Sequence, residues 1–263
     1  MEIIENTGEF SSRFARWRPN DAMSGYPWVS NTTTPFTPFR RALPMLNLAL
    51  ISSAGAYIDG THPFDVTSVD GDLDFREIPR EVAATELLYS AKGYDPAAVE
   101  SDGNALIPVD RLTEYEANAV IGGLNECWWS ISSHIPNASR VAEELAPRIA
   151  ERLHRYDIQA ALLIPASKLC HQTLGIVARG IESTGIPTIV ISVDKIVSES
   201  VRPPRTAYYE GEYGSVAGVA NWPEHQLRVL DETLRLAETF DQPGIRKLAV
   251  EIETQVEAAR GER

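Results

Sequence analysis

Of the two cysteines in this 263-residue chain, Cys170 stands where a thiol could react. It lies in Ile164-Pro165-Ala166-Ser167-Lys168-Leu169-Cys170-His171-Gln172-Thr173, directly after a short apolar run and at the opening of a helical pattern. A strand running into a helix here puts Cys170 in the first helical turn, beyond the carboxyl end of the strand, where open α/β sheets bind ligands. The N-terminus of a helix carries about half a positive charge and several unpaired N–H groups, which favour a thiolate or an anionic substrate. The spacing therefore predicts a lowered pKa for Cys170, with Lys168 pushing the same way, and a thiol able to act as nucleophile or proton carrier. The competing reading of Cys170 is a small buried hydrophobe facing the sheet. His171 is next in sequence, but neighbours i and i+1 do not share a helix face, so contact between the two does not follow.

The loop from His62 to Glu77 is a second candidate. Asp65, Asp70, Asp72, Asp74 and Glu77 offer oxygen ligands, and Arg76 could clamp a carboxylate bidentately. Counted from Asp65, Gly71 falls at position seven and Arg76 at twelve, so the loop fails the EF-hand pattern. It reads either as a solvated, cap-forming loop or as one lining a site. Arg111 and Arg205 could converge with Arg76 on an anionic substrate; the alternative for them is ion pairing with neighbours such as Asp110 and Glu114. Ser52-Ser53-Ala54-Gly55 could offer backbone N–H groups to an anion, but it lacks the spacing of a dinucleotide fingerprint or a P-loop, so no cofactor is expected. His134, His154 and His225 are isolated and give no zinc spacing, so no metal is expected. Cys127, beside Trp128 and Trp129, reads as packing, unless the fold brings it to Cys170 as a dithiol.

The elements that must position these residues follow from the apolar pattern. Leu46 to Ser53, Ala160 to Pro165 and Thr188 to Val193 read as buried strands. Leu112 to Val120 has helical character. Ser139 to Leu153 reads as an amphipathic helix that kinks or restarts at Pro147, and Leu169 to Ser183 as a helix closed by Gly185. Helix, strand, helix and strand within about 55 residues predict an α/β fold. Its central sheet is mainly parallel with helices on both faces; two similar lobes around a cleft are the alternative arrangement. Residues 1–45, with Arg13, Arg16, Trp17, Arg18 and a Thr- and Pro-rich stretch, read as an irregular wrap over an α/β body at 46–240. Residues 241–263, with Ile245, Leu248, Ile252 and Val256 in one stripe, read as a C-terminal helix.

Composition bounds the function. Lys and Arg number 24 against 37 Asp and Glu, a net charge of −13, which argues against a nucleic-acid reader. Two cysteines build no disulfide framework. The opening residues show no signal-peptide pattern, and the apolar run at 46–57 is far short of the ~20 residues that span a bilayer, so a cytoplasmic location is expected.

Ordered blocks along residues 26–240 resemble the selenoprotein B subunits of glycine, sarcosine, betaine and D-proline reductases. In that family a strand ending in Pro leads to a selenocysteine or cysteine, two residues, a second cysteine and a polar pair before Thr. Pro165, Ser167, Cys170, His171, Gln172 and Thr173 stand in those places. His62-Pro63-Phe64-Asp65, Asp72 and Phe75-Arg76-Glu77-Ile78-Pro79 are similar to the family's acidic loop. Further blocks are Asp102, Asn104 and Pro108-Val109-Asp110-Arg111-Leu112, then Ile181-Glu182, Gly185-Ile186-Pro187-Thr188 and Arg202-Pro203-Pro204-Arg205. The resemblance implies reductive cleavage of a C–N bond next to a carboxylate, in a complex with a partner protein. Its site would comprise Cys170, Ser167 and His171, with His62, Asp72, Arg76, Arg111 and Arg205 toward the substrate. Ser167 departs from the pattern, because a hydroxyl cannot cycle through a disulfide with Cys170. A non-redox cysteine lyase or racemase, or a non-catalytic ligand-binding subunit, are the alternatives; a partner protein or homo-oligomer is expected.

Overall fold

Apolar residues that alternate between two faces set the architecture. The computed structural model describes residues 3–5 and 28–250; the readings at Arg13, Arg16, Trp17, Arg18, Ile252 and Val256 lie outside the described residues. In chain order the strands are β1 (Asn47–Ser52), β2 (Ala56–Ile58), β3 (Phe75–Pro79), β4 (Leu87–Tyr89), β5 (Gly123–Leu124), β6 (Cys127–Ile131), β7 (Ala160–Ile164), β8 (Thr188–Ser192), β9 (Arg205–Tyr208) and β10 (Gly244–Lys247). The helices are α1 (Ala97–Ser101), α2 (Val109–Ala117), α3 (Ala138–Arg140), α4 (Ala146–Arg155), α5 (Lys168–Ser183), α6 (Lys195–Val201) and α7 (Pro223–Thr239).

Eight strands form one sheet in the order β10-β9-β8-β7-β1-β6-β3, with β5 also on β1, and β2 pairs with β4 in a separate ribbon. All pairings in the large sheet are parallel except that of β3 with β6. The three strands expected from sequence are the neighbours β1, β7 and β8, so they build one sheet and not two lobes.

Leu48, Leu50, Leu162, Ile164, Ile189 and Ile191 point to one face, where Leu112 of α2 and Leu230 and Leu234 of α7 cover them. Ala49, Ile51, Ala161, Leu163 and Val190 point to the other, under Ile149 and Leu153 of α4, Val177 and Ile181 of α5 and Val197 of α6. Helices on both faces bury both sides of a parallel strand, which is why these runs are continuously apolar. Pro147 has no N–H to give the preceding turn, and the chain meets it through a π-helical segment, Val141–Leu145, before α4. α5 is buried along its length from Lys168 to Glu182. Gly180 permits this: a Cβ there would lie 2.7 Å from the Ala146 Cβ. The segment 28–39 crosses α5, tied by Val29 N to Gln172 Oε1 (2.7 Å) and Thr37 N to Glu182 Oε1 (2.7 Å).

Two differences from the sequence reading have physical causes. The stretch 62–77, expected as loop, runs into the edge strand β3, whose charged residues and Pro79 are tolerated because only one side is paired. The stretch expected to open the C-terminal helix contains β10, because Gly244–Lys247 finds a parallel partner in Arg205–Tyr208. Among the described residues, no helix is long and apolar enough to cross a membrane.

Candidate functional site

The connection after β1 leads toward β6, whereas the connection after β7 leads toward β8 on the opposite side. Crossovers that part this way leave a crevice at the carboxyl ends of the two strands, where ligands bind in open α/β sheets. Ser53 follows β1 at this point, and Ser167 and Cys170 follow β7. The Ser53 hydroxyl accepts from Ala166 N (3.1 Å). The Cys170 thiol donates to Ser133 O (3.3 Å), just past β6, and lies 3.6 Å from Ser53 O. One sulfur thus meets the ends of three adjacent strands.

Its protonation state corrects the sequence expectation. Cys170 is only 1 % exposed, and burial raises its pKa; hydrogen bonding with Ser167 and Ser53 opposes the shift without reversing it. Burial outweighs the helix terminus, one of whose free N–H groups is already used. The Ser167 hydroxyl caps α5 by accepting from Cys170 N (3.2 Å), and Ser167 O accepts from His171 N (3.1 Å). The thiol donates to carbonyl oxygens, which favour S–H, and burial outweighs the bonds from Ser167, Ser53 and Ala166 that favour a thiolate.

His171 is equally committed. Its Nδ1 lies 2.7 Å from Ser167 O, and its Nε2 accepts from Val193 N (3.1 Å). This pattern requires the neutral ring with the proton on Nδ1, and burial lowers its pKa over the opposing pull of Asp194. His171 therefore positions the start of α5 against the end of β8, and its geometry does not suit a general base.

The arginines separate. Arg76, level with Ser130 on β6, stacks 4.3 Å over the Phe64 ring. Phe64 N donates to Ser90 Oγ, and Ser90 O accepts from the Ser133 hydroxyl, so Arg76 belongs to the Cys170 end of the sheet. Arg205 does not: it is fully buried at the start of β9, ion-paired with Glu182 (2.6 Å) and stacked between Phe36 and Phe39. Arg111 pairs with Glu114 and donates to Gln226 Oε1 (3.1 Å). Asp72 organises its own loop, accepting from Asp65 N (3.0 Å) and Asp74 N (2.9 Å), and His62 is exposed nearby in sequence. The backbone cradle read at residues 52–55 is occupied, with Ser53 N bonded to Ile164 O, Ala54 N to Ser52 Oγ and Gly55 N to Ile131 O.

Cys127 does not complete a dithiol. It opens β6, six residues before the Ser133 carbonyl that touches Cys170. At ~3.3 Å per residue of extended chain, the two sulfurs are on the order of 20 Å apart. Cys127 packs on the α4–α5 face, and burial raises its pKa also.

Several residues that sequence reasoning did not single out close the site. The Tyr94 hydroxyl donates to Ala54 O (2.6 Å), and burial followed by the nearby Cys170 pushes its phenol pKa up. Gly93, at φ +86°, brings backbone so close that a Cβ would lie 3.3 Å from Ser167 Cβ. Lys92 N donates to Ser133 Oγ (2.9 Å), and Gly214 N to Ala166 O (2.9 Å). The serine pairs Ser52-Ser53 and Ser132-Ser133 at strand ends are the sequence signal that could have located these contacts. Among the described residues, no group of three or more His, Cys, Asp and Glu is placed to hold a metal ion.

Comparison with known proteins bears on the family. A family model described as Glycine/sarcosine/betaine reductase selenoprotein B matches residues 74–166, from β3 through β7. The chain is 29 % identical over 200 residues to the D-proline reductase subunit gamma of Acetoanaerobium sticklandii, covering 76 % of this chain and 81 % of that protein. It is 29 % identical over 176 residues to the glycine reductase complex component B subunit gamma of Symbiobacterium thermophilum, covering 62 % of this chain and 38 % of the relative. Over 97 residues it is 26 % identical to the betaine reductase complex component B subunit beta of Peptoclostridium acidaminophilum, covering 37 % of this chain and 22 % of the relative. No solved structure matches the chain significantly. The resemblance to the selenoprotein B family is borne out by both kinds of match.

Proposed function

We propose that this relative of the selenoprotein B family is a subunit of a cytoplasmic reductase-type complex with Cys170 as its working thiol. It binds a small carboxylate- or amine-bearing substrate in the crevice between β1 and β7. The observation that carries this reading is the seat of the Cys170 sulfur, against Ser53 O and Ser133 O at the point where the sheet's crossovers diverge. Arg76, at the same end of the sheet, is the residue to hold a carboxylate. In its S–H form Cys170 suits proton donation, and nucleophilic attack requires a rearrangement that relieves its burial. The relatives named above are subunits or components of reductases, so reducing equivalents are expected to come through a partner chain.

A second reading, a partner subunit without its own chemistry, is favoured by one observation: Ser167 fills the redox position and serves as a helix cap. One experiment separates the two. The full chain, alone and with its co-purified partners, is incubated with D-proline, glycine or betaine under a dithiol reductant, and binding and turnover are measured for wild type and Cys170→Ala. Turnover lost in Cys170→Ala with binding kept supports the thiol reading. Binding and turnover that are identical in both proteins overturn it, and binding with no turnover in any assembly supports the partner subunit.

A further inference from the structure

We propose that the opposite end of the sheet carries a second site, for a small organic dianion. A cavity of about 220 Å³ opens beneath the amino ends of β1, β7 and β8, lined among others by Leu46, Ile158 and Ile186, which lie one or two residues before those strands. Arg40, Arg41 and His154 share its lining, and no Asp or Glu does. In a chain of net charge −13, two arginines without a carboxylate among the lining residues form a local reversal of the surface field.

The bland explanation for His154 is the C-terminus of α4, whose carbonyls attract cations. That role is already served: Arg152 and Arg155 lie in the same last turn, paired with Glu77 and Glu151 respectively. Arg40, Arg41 and His154 form no ion pair with any described residue, whereas most of the described arginines are paired.

The cavity's shape and lining define the ligand class. Two guanidinium groups suit paired anionic oxygens, as in a dicarboxylate or a phosphomonoester. Leu46, Ile158 and Ile186 add an apolar wall, which inorganic phosphate cannot use but a short hydrocarbon body can. The site is separate from Cys170, because a five-residue strand holds the two ends of the sheet about 17 Å apart. It is therefore a place for an effector or a passenger anion and not for the reacting atoms.

The test is calorimetric titration of the full chain with glutarate and, separately, with inorganic phosphate in low-salt buffer. Wild type is expected to bind one glutarate saturably and more tightly than phosphate. The Arg40→Ala/Arg41→Ala variant should weaken glutarate at least tenfold, and the corresponding double Lys variant should keep part of the affinity. The arginines are exposed, so the double variant should melt where wild type does. Absence of saturable glutarate binding, or binding that the double Ala variant leaves intact, overturns the site; the latter result would point to Arg76. Phosphate binding as tight as glutarate overturns the organic-anion assignment.

Discussion

Alkylation kinetics of Cys170 follow directly from its surroundings. Iodoacetamide attacks the thiolate, and an unperturbed cysteine with pKa about 8.5 is roughly one-tenth thiolate at pH 7.5. Burial lowers that fraction further for Cys170. The reagent must also reach a sulfur that is 1 % exposed. Opening the cover breaks at least three hydrogen bonds: Tyr94 Oη to Ala54 O, Gly214 N to Ala166 O and Lys92 N to Ser133 Oγ. At about 1 kcal/mol each these sum to about 3 kcal/mol, a population of open molecules near one in 150. When closing is faster than labelling, the rate scales with that population. Peptide-resolved mass spectrometry should therefore show Cys170 labelled at least ~100-fold more slowly in the native chain than in the unfolded chain at pH 7.5. The native rate should climb with pH and show no plateau below pH 8.5. A plateau near pH 7, or a native rate equal to the unfolded one, would refute the reasoning and restore the helix terminus as the dominant influence.

Three further outcomes are expected. His171 is neutral in the folded chain because burial lowers its pKa, whereas it protonates near pH 6.5 when unfolded. Its contribution is therefore complete above about pH 7 and is lost as pH falls below 6.5, at up to about 1.4 kcal/mol per pH unit, with His134 acting in the same direction; urea midpoints from pH 7 to 5 should fall less steeply in His171→Gln, and an unchanged slope would rule this out. Glu182→Gln leaves the fully buried Arg205 charge without its carboxylate, at a cost of about 3–5 kcal/mol, or roughly 6–20 °C in Tm; a loss under about 1 kcal/mol would show the pair to be dispensable. Ser167→Cys should cost about 1 kcal/mol of capping and place a second thiol beside Cys170, so mild oxidation should leave only Cys127 titratable in the denatured protein; persistence of all the thiols would separate the two positions.

The sheet was legible because its strands are buried on both faces, and runs such as Ala160–Ile164 carry that environment in their composition. β3 was hidden by Arg76, Glu77 and Pro79, residues that only an edge position admits, and β10 by a periodicity that pairing with β9 overrode. Cys170 was placed correctly at a strand-to-helix junction, since Pro165, Ser167 and the helical period behind them are local signals. The roles of its neighbours were not legible. Arg205 and Glu182 are 23 residues apart, and their burial as a pair depends on Phe36, Phe39 and Thr37 arriving from another segment. Tyr94 and Gly93 come from a loop whose sequence carries no periodicity to say where it folds.

The expectation of an activated thiol failed for a reason that bears on the chemistry. A helix N-terminus stabilises a thiolate through N–H groups that have no other partner; here the Ser167 hydroxyl takes Cys170 N, and burial sets the direction of the Cys170 shift. The residue that the family resemblance sets at the redox position is thus the cap of the helix that carries Cys170. A sulfur at that position would be a weaker acceptor for Cys170 N, leaving this N–H more available to a developing thiolate. On the family resemblance, serine at this position removes the second redox atom, while burial, against the opposing bonds from Ser167 and Ser53, holds Cys170 in the S–H form toward Ser53 O and Ser133 O. Both effects favour proton transfer over thiol–disulfide chemistry in this chain. A reductive role then depends on a partner to carry the electrons that Cys170 and Ser167 cannot hold between them.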